Sequence, residues 1–126
     1  MNIAIVSGAS SGMGREFVLQ LSSYVTVDEI WVIARREDAL QKLGKEVSVP
    51  VRAVPLDLCL KKSFKELADL LKQENPDVPY ILFGHSMGSF MARTILCKYP
   101  DSGIAAAIIC GTGWQPAFAI PALLKV

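Results

Sequence analysis

Short apolar segments alternate with helix-forming segments along the chain, and this alternation is the feature that most constrains the fold. The first apolar segment, Ile3 to Val6, has no polar alternation, which favours a parallel strand covered on both faces. The predicted strands are residues 3–6, 29–34, 51–56, 80–83 and 105–110, and the predicted helices end near residues 23, 45, 75 and 98. The alternation predicts an α/β fold, a three-layer Rossmann-like open parallel sheet of five strands with right-handed crossovers.

The order of the strands can be predicted as well. The third strand contains Pro55 and alternates only partly, which places it at an edge of the sheet. The first and fourth strands are expected to be neighbours, so the order becomes 3-2-1-4-5, with a crevice where the order reverses. A chain of 126 residues is the size of one domain, and we predict a single domain over residues 1–126. The apolar tail from Trp114 to Val126 has two prolines, and its conformation is left open.

Composition excludes several classes of function. The formal net charge is +1, and Lys and Arg are matched by Asp and Glu along most of the chain, which argues against a nucleic-acid partner. Three cysteines without metal-ligand spacing and a single histidine predict reduced thiols and no metal site. Met1 and Asn2 lead directly into the first strand, and no apolar run reaches the roughly 20 residues of a membrane helix. We therefore expect a soluble, cytoplasmic protein without a signal peptide or membrane partner; its oligomeric state is left open.

A glycine-rich turn, Ser7 to Gly14, lies between the first strand and the first helix. Gly8 permits a tight exit from the strand, Gly12 lets the backbone approach a pyrophosphate, and Gly14 allows the helix to lie close to the sheet. Because the N–H groups at a helix start attract anions, the turn predicts a phosphate site. A plain connection between strand and helix is the alternative interpretation.

Residues 1 to about 78 resemble the cofactor-binding half of the short-chain dehydrogenase/reductase family. The turn has that family's TGxxxGxG spacing with Ser7 in the Thr place, the pair Arg35-Arg36 follows the second strand, and Asp57-Leu58 follows the third. The resemblance implies a site for NADP(H) with Asp57 and the next residue against the adenine. The predicted cofactor-binding residues are Gly8, Ser10, Ser11, Gly12, Met13, Gly14, Arg35, Arg36, Asp57 and Leu58.

The basic residues favour NADP over NAD. A guanidinium fork pairs with a 2′-phosphate, whereas an acidic residue would hold a ribose hydroxyl, so Arg15, Arg35 and Arg36 all favour the phosphorylated cofactor. Arg35 and Arg36 could equally be solvated loop charges. Asp57 could simply cap the following helix.

The later parts of that family are missing from the sequence. There is no Asn-Asn-Ala-Gly turn after the fourth strand, and Tyr24, Tyr80 and Tyr99 have no Lys four residues further on. No acid is therefore placed to protonate a carbonyl oxygen, and hydride transfer by the family's mechanism is not predicted.

A second motif follows the fourth strand, where the sequence reads Gly84-His85-Ser86-Met87-Gly88. Residues from about 79 to 126 resemble the α/β-hydrolases, in the branch of lysophospholipase-like and monoacylglycerol-lipase-like serine hydrolases. The resemblance implies a nucleophile elbow, with Ser86 as nucleophile and the Met87 N–H as one oxyanion donor. The only histidine, His85, is adjacent to the serine, and no Ser-His-Asp triad can be assembled from the sequence. Ser86 is therefore predicted to be a vestigial nucleophile.

These two resemblances meet near Asp77 to Pro79 without overlap. We therefore predict an engineered or recombined chimeric α/β scaffold without evolved catalytic activity, which retains a partial, weak NADP(H) site. The alternatives are a weak serine esterase that uses Ser86 and a truncated NADP-dependent oxidoreductase.

Overall fold

The computed structural model describes residues 2–101 and 103–111. Its elements, in chain order, are β1 (Ile3–Ser7), α1 (Gly12–Tyr24), β2 (Glu29–Ala34), α2 (Glu37–Gly44), β3 (Val51–Pro55), α3 (Lys61–Glu74), β4 (Tyr80–His85), α4 (Met87–Lys98) and β5 (Ile104–Cys110). The predicted alternation of strands and helices is confirmed, and the fold is α/β. The tail from Trp114 to Val126 lies outside the described residues.

The chain divides into two compact units, Met1–Glu74 and Asn75–Val126. The boundary lies within a few residues of the predicted junction near Asp77 to Pro79. The single domain predicted for residues 1–126, with its parts at 1–78 and 79–126, stays a prediction, and each unit is described by itself.

In the first unit, β1, β2 and β3 form a parallel sheet in that order. Helices α1 and α2 cover one face through a buried cluster, whose members include Val18, Leu40 and Leu43. Helix α3 covers the other face, where leucines at 67, 70 and 71 pack against Trp31 and Ile33. All residues from Ile30 to Ile33 are buried, as expected for a strand between two helical layers. The predicted three-layer arrangement is therefore present in this unit.

Two aromatic side chains on α1 and α3 are more exposed than the spacing of apolar residues predicts. This spacing places Phe17 and Phe64 on the buried stripe of their helices, and the structure shows each to be 47% exposed. Each lies at the border of the stripe: Val18, one position after Phe17, is fully buried, and Leu67, one turn after Phe64, packs on the core. The helical spacing of apolar residues therefore identified the buried face of each helix, but not which residues at the border of that face are exposed.

At the amino ends of β2 and β3, a cluster of side chains joins the end of α3 to the sheet. The Arg52 guanidinium lies 4.5 Å from the centroid of the Trp31 ring and donates to the Glu74 carboxylate. The Trp31 indole N–H donates in turn to Glu29 at 2.6 Å. The hydrogen bond from Arg52 holds the pKa of Glu74 below its usual range, and the same bond raises the pKa of Arg52.

In the second unit, β4 and β5 pair in parallel, with an irregularity between Tyr80 and Ile81. Helix α4 packs on one face of this pair, where Ser89 and Ala92 are buried. The large apolar side chains exposed on the two strands include Ile81, Phe83 and Ile108.

The strand order is confirmed in two parts, since β3-β2-β1 and β4-β5 are neighbours as predicted. The placement of β1 beside β4, which would complete the predicted order 3-2-1-4-5, stays a prediction. Each observed pairing lies within one unit, where a helical crossover connects the two strands. Among the described helices, none combines the length and the apolar character needed to cross a bilayer.

Candidate functional site

The glycine turn after β1 is held against the end of β2. The backbone N–H groups of Gly8 and Ala9 donate to the Ile33 carbonyl, at 2.8 and 3.3 Å. Gly8 and Gly12 have φ of 69° and 58°, a left-handed conformation that favours glycine. A Cβ built on either residue meets no atom within 4 Å, so the outer side of the turn is open.

Gly14 has the opposite surroundings. A Cβ at this position would lie 2.5 Å from the Gly8 carbonyl oxygen and 3.1 Å from that of Ser7. Any larger residue would push α1 away from the end of β1. The geometry agrees with the tight turn predicted at Gly8 and the close helix approach predicted at Gly14, and the pyrophosphate role of Gly12 stays a prediction.

Helix α1 begins at this turn with its amino end available to an anion. Ser11 is the N-cap residue, its backbone is extended, and its side chain makes no capping hydrogen bond. The first turn of α1 contains no acidic residue. A helix start of this kind attracts negative charge through its N–H groups and its dipole.

The side chain of Arg36 reaches the glycine turn from the end of β2. One guanidinium nitrogen lies 3.1 Å from the Ser10 carbonyl oxygen and 3.4 Å from the Ser10 hydroxyl. The sequence separates these residues by 26 positions, and the parallel pairing of β1 with β2 brings them together. Arg35 is exposed, as are Ser11 and Met13.

Arg15 is positioned differently from the other two arginines. Its guanidinium forms an ion pair with Glu46, which follows α2. The two side chains are 37% and 43% exposed, so water screens the pair. Of the three basic residues predicted to favour NADP, Arg36 contacts the turn and Arg15 is engaged elsewhere.

Asp57 and Leu58 follow β3. The Asp57 carboxylate accepts from the Cys59 N–H at 3.0 Å, and the Asp57 carbonyl accepts from Leu60 at 3.0 Å. Asp57 therefore shapes the turn that leads into α3, and both roles suggested for it, the adenine contact and the helix cap, stay predictions. Leu58 packs against the cluster of Trp31, Ile33 and Val54.

The turn from β4 to α4 has an unusual backbone at Ser86. Its φ is 52° and its ψ is −119°, and it is the one non-glycine residue with positive φ in the part of the chain that the structure describes. Three hydrogen bonds surround this conformation. Ser86 N–H donates to the Cys110 carbonyl at 3.1 Å, and the N–H and hydroxyl of Ser89 donate to the Ser86 carbonyl at 2.9 and 2.5 Å.

Glycines on both sides of Ser86 differ in their surroundings. A Cβ on Gly84 would lie 2.7 Å from the Gly88 carbonyl and 2.9 Å from the Ala92 Cβ, whereas a Cβ on Gly88 would meet nothing within 4 Å. Gly84 thus permits the close approach of α4 to β4.

The imidazole of His85 lies beside Gly111, at the end of the neighbouring strand. An ideal Cβ on Gly111 would be 3.1 Å from Nε2 of His85 and 3.3 Å from the Ser86 nitrogen. Sequence reasoning missed both this contact and the support that Ser89 gives to Ser86. The signal available in the sequence was that β4 and β5 both end at glycine-containing turns, which parallel pairing places side by side.

The sequence profile of the family described as serine aminopeptidase, S33, matches residues 60–126, which is more than half of the chain. The chain belongs to this family. The match begins at residue 60 and therefore includes α3, which we had assigned to the dehydrogenase resemblance and which packs in the first unit. No curated protein matches the chain.

This member of the S33 family is also similar in fold to solved structures of reductases and dehydrogenases. The KRED1-Pglu enzyme is 24% identical with a TM-score of 0.53, over 66% of this chain and 34% of its own. A metagenomic short-chain oxidoreductase in complex with NADP is 19% identical with a TM-score of 0.53, over 68% of this chain and 42% of its own. A short-chain dehydrogenase from Sphingobium yanoikuyae in complex with NADPH is 22% identical with a TM-score of 0.53, over 68% of this chain and 35% of its own.

These likenesses show the fold, and the chain spans about a third to two fifths of the length of these proteins. The two resemblances seen in the sequence are confirmed, one to the α/β-hydrolases by the family match and one to the short-chain dehydrogenases/reductases by fold.

Proposed function

We propose that this chain is a nucleotide-binding α/β protein that retains an NADP(H) site in its first unit and has no evolved catalytic activity. The observation that carries the proposal is the contact of Arg36 with Ser10, because it brings a fixed cation to an open glycine turn. The solved NADP and NADPH complexes of similar fold support it.

The residues at the turn fit a phosphorylated dinucleotide. Gly8 and Gly12 leave open the space that side chains would fill, and the start of α1 offers N–H groups without a competing carboxylate. Arg36 and Arg35 would hold the 2′-phosphate, and Asp57 and Leu58 would lie against the adenine. NADP(H), when bound, supplies a hydride donor or acceptor; this chain's residues would bind and orient it.

Calorimetric titration of the 126-residue polypeptide with NADP+ and NAD+ tests the site. We expect saturable binding of NADP+ and weaker binding of NAD+. Gly12→Val should abolish binding, because the branched side chain both strains a φ of 58° and fills the open turn.

Gly44→Ala is the matched control, since its added methyl lies at ordinary contact distance from Val51 and away from the turn. Thermal unfolding of both variants checks that they are folded, and Arg36→Gln provides a variant without backbone strain. The absence of binding at millimolar NADP+, or unchanged binding by Gly12→Val, contradicts the proposal.

Hydride transfer is not expected in this polypeptide. Within its 126 residues, none of the three tyrosines has a lysine four positions later. NADPH oxidation should therefore not increase when a carbonyl compound is added, and an increase that saturates with that compound would favour the oxidoreductase alternative.

Hydrolysis at Ser86 is the second candidate function, and the Ser86 backbone conformation together with the S33 family match favours it. A strained serine between a strand and a helix is how a nucleophile elbow presents its hydroxyl. The single histidine of the sequence is the adjacent His85, whose ring lies beside Gly111, so the polypeptide has no separate base to activate the serine.

An esterase assay with a p-nitrophenyl ester separates this candidate from the main proposal. We expect equal background rates for the wild type and Ser86→Ala. Saturable turnover that disappears in Ser86→Ala would establish the hydrolase and refute the proposed lack of activity.

The chain resembles two families and divides into two compact units, and the hydrolase match begins at residue 60, before the boundary between Glu74 and Asn75. The proposal includes a recombined or engineered origin, in which fragments of two α/β folds were joined. An intact reading frame in a genome, with its product detected by mass spectrometry, would exclude an artificial origin.

A further inference from the structure

Cys110 and His85 are neighbours across the parallel pair of β4 and β5. Each is the last residue of its strand, and the two are register partners. Register partners in a parallel sheet point to the same face, and neighbouring strands lie about 4.8 Å apart, so the thiol and the imidazole start from adjacent positions. A cysteine and a histidine are therefore side by side at the carboxyl end of this sheet.

The imidazole of His85 extends toward the end of β5. Its Nε2 atom lies 3.1 Å from the position of an ideal Cβ on Gly111, the residue bonded to Cys110, and its Cδ2 atom lies 3.3 Å from that position. The Ser86 N–H donates to the Cys110 carbonyl at 3.1 Å and joins the ends of the two strands. The imidazole therefore lies beside the segment that carries the thiol.

The face of the sheet that carries both side chains is accessible to a small reagent. Gly84 faces α4, since a Cβ there would lie 2.9 Å from the Ala92 Cβ. Side chains alternate along a strand, so His85 and its partner Cys110 lie on the opposite face. On that face Ile108 is 55% exposed, His85 is exposed and Cys110 is half-buried.

The charges of the surrounding elements favour a negative sulfur. The sequences of β4 and β5 contain no Asp or Glu, and neither does the first turn of α4. Helix α4 begins directly after Ser86, and the amino end of a helix stabilises negative charge through its dipole. The thiolate is the nucleophilic form of cysteine, and surroundings of this kind favour it.

We infer that His85 activates the Cys110 thiol and that this pair is a modification site for low-molecular-weight disulfides. A ring nitrogen of His85 takes the thiol proton, and the Cys110 sulfur attacks one sulfur of the disulfide. The S–S bond of the reagent breaks, a new S–S bond joins Cys110 to one half, and the other half leaves as a thiolate. Cys110 is thereby oxidised and the leaving half is reduced. This reaction is independent of the proposed NADP(H) site.

The other two cysteines provide a contrast within the same chain. Cys59 and Cys97 are exposed, whereas Cys110 is half-buried. The sequence has a single histidine, and Cys110 is the cysteine that has it as a register partner. Exposure alone predicts that Cys59 and Cys97 react faster, and activation by His85 predicts the opposite order.

Single-cysteine variants of the 126-residue polypeptide test this order. Cys59→Ser combined with Cys97→Ser keeps Cys110, and the two corresponding double variants keep only Cys59 or only Cys97. Each variant is treated with an excess of dithiobis(nitrobenzoate), an aromatic disulfide whose released thiolate absorbs visible light. We expect Cys110 to react at least about tenfold faster than either exposed cysteine.

Removal of the imidazole tests the role of His85. In the variant that keeps Cys110, His85→Ala should slow the reaction by about tenfold or more, and added imidazole should restore part of the lost rate. If access alone limited the rate, His85→Ala would speed the reaction, because it removes a ring beside the thiol. The variant that keeps only Cys59 is the matched control, and its rate should respond neither to His85→Ala nor to imidazole.

Circular dichroism checks that each variant is folded, and His85→Gln repeats the test with a longer polar side chain. Treatment of the wild type with a substoichiometric amount of glutathione disulfide, followed by peptide mass spectrometry, gives an independent readout: the mixed disulfide should lie on Cys110.

A reaction of Cys59 or Cys97 that is as fast as that of Cys110 overturns the inference, and so does a mixed disulfide found mainly on either of them. An unchanged rate in His85→Ala and His85→Gln overturns the role assigned to the imidazole. None of these outcomes affects the proposed NADP(H) site, which the nucleotide titrations test separately.

Discussion

Ser86 is held in a backbone conformation that side-chain-bearing residues rarely adopt, with φ of 52° and ψ of −119°. Such conformations cost about 1–3 kcal/mol and persist where neighbouring contacts impose them. Here the Cys110 carbonyl and the two donors of buried Ser89 supply those contacts. The second unit therefore keeps a strained serine at the end of β4.

Ser86→Gly should stabilise the second unit by about 1 kcal/mol, because glycine adopts this conformation without the steric cost. Ser86→Ala keeps the Cβ and should leave stability unchanged. Hydrogen exchange of the β4 and β5 amides measures the difference. An equal gain from the alanine and glycine variants would show that the hydroxyl, and not the backbone, causes the strain.

Gly84→Ala should destabilise the same unit by about 1–3 kcal/mol, since the new methyl would lie 2.7 Å from the Gly88 carbonyl and force α4 away from β4. Gly88→Ala is its control: a methyl there meets no atom, and alanine favours the helix. Urea unfolding followed by circular dichroism compares the two, and a loss of stability in the Gly88 variant that equals the loss in the Gly84 variant contradicts the packing argument.

At the scale of elements, α3 is fastened to the sheet at its carboxyl end. Arg52 on β3 lies over the ring of Trp31 on β2 and pairs through two hydrogen bonds with Glu74, the last residue of α3. Two parallel N–H to oxygen bonds give such a pair a defined geometry that single surface ion pairs lack. The leucines of α3 are thereby kept over the Trp31 face of the sheet.

The stability of this arrangement should depend on pH through Glu74. Its pKa in the folded chain lies below the ordinary value of 4.5, so the stabilisation is present above that value and is lost as the pH falls through the folded pKa. Glu74→Gln should lower the melting temperature at neutral pH, and the melting temperatures of the wild type and the variant should converge once the pH falls below the lowered pKa of Glu74 in the folded chain.

Asp69→Asn is the control variant, because it shows whether removing any carboxylate lowers the melting temperature as Glu74→Gln does. The Asp69 and Lys65 side chains are 62% and 79% exposed, so their pair should contribute little and its removal should leave the melting temperature unchanged. A constant difference between the wild type and Glu74→Gln from pH 7 to pH 2 would rule out the carboxylate as the cause.

At the scale of the whole molecule, the two units differ in how fully their strands are covered. Residues Ile30 to Ile33 of β2 are at most 1% exposed, whereas Ile108 of β5 is 55% exposed and Ile81 of β4 is 68% exposed. Parallel strands are normally covered on both faces, and the first unit meets that condition while the β4–β5 pair has exposed apolar side chains.

Hydrogen exchange of the whole chain should report this difference. The amides of β2 should exchange at least about 100-fold more slowly than those of β5, because local opening of the less covered strands costs less free energy. Equal protection of the amides of β2 and β5 would contradict this expectation and would mean that the whole chain unfolds as a single cooperative unit.

The sequence by itself determined the local elements and the position of both turns. Apolar β-branched runs followed by glycines predicted strands that end in tight turns, and the glycines at 8, 12 and 84 have the backbone angles or close contacts that these turns need. Such features depend on neighbouring residues along the chain, so they can be read from it directly.

Only the tertiary structure decided which side chains meet and which strands pair. In the structure, Arg36 contacts Ser10 and Arg15 forms an ion pair with Glu46. The Asp57 carboxylate accepts a hydrogen bond within its own loop, and His85 lies beside Gly111. It paired β1 with β2 and β2 with β3 in the first unit, and β4 with β5 in the second. These contacts depend on packing between residues that are distant in sequence. Several pairings are compatible with the local sequence, and small differences in shape and charge decide which of them forms.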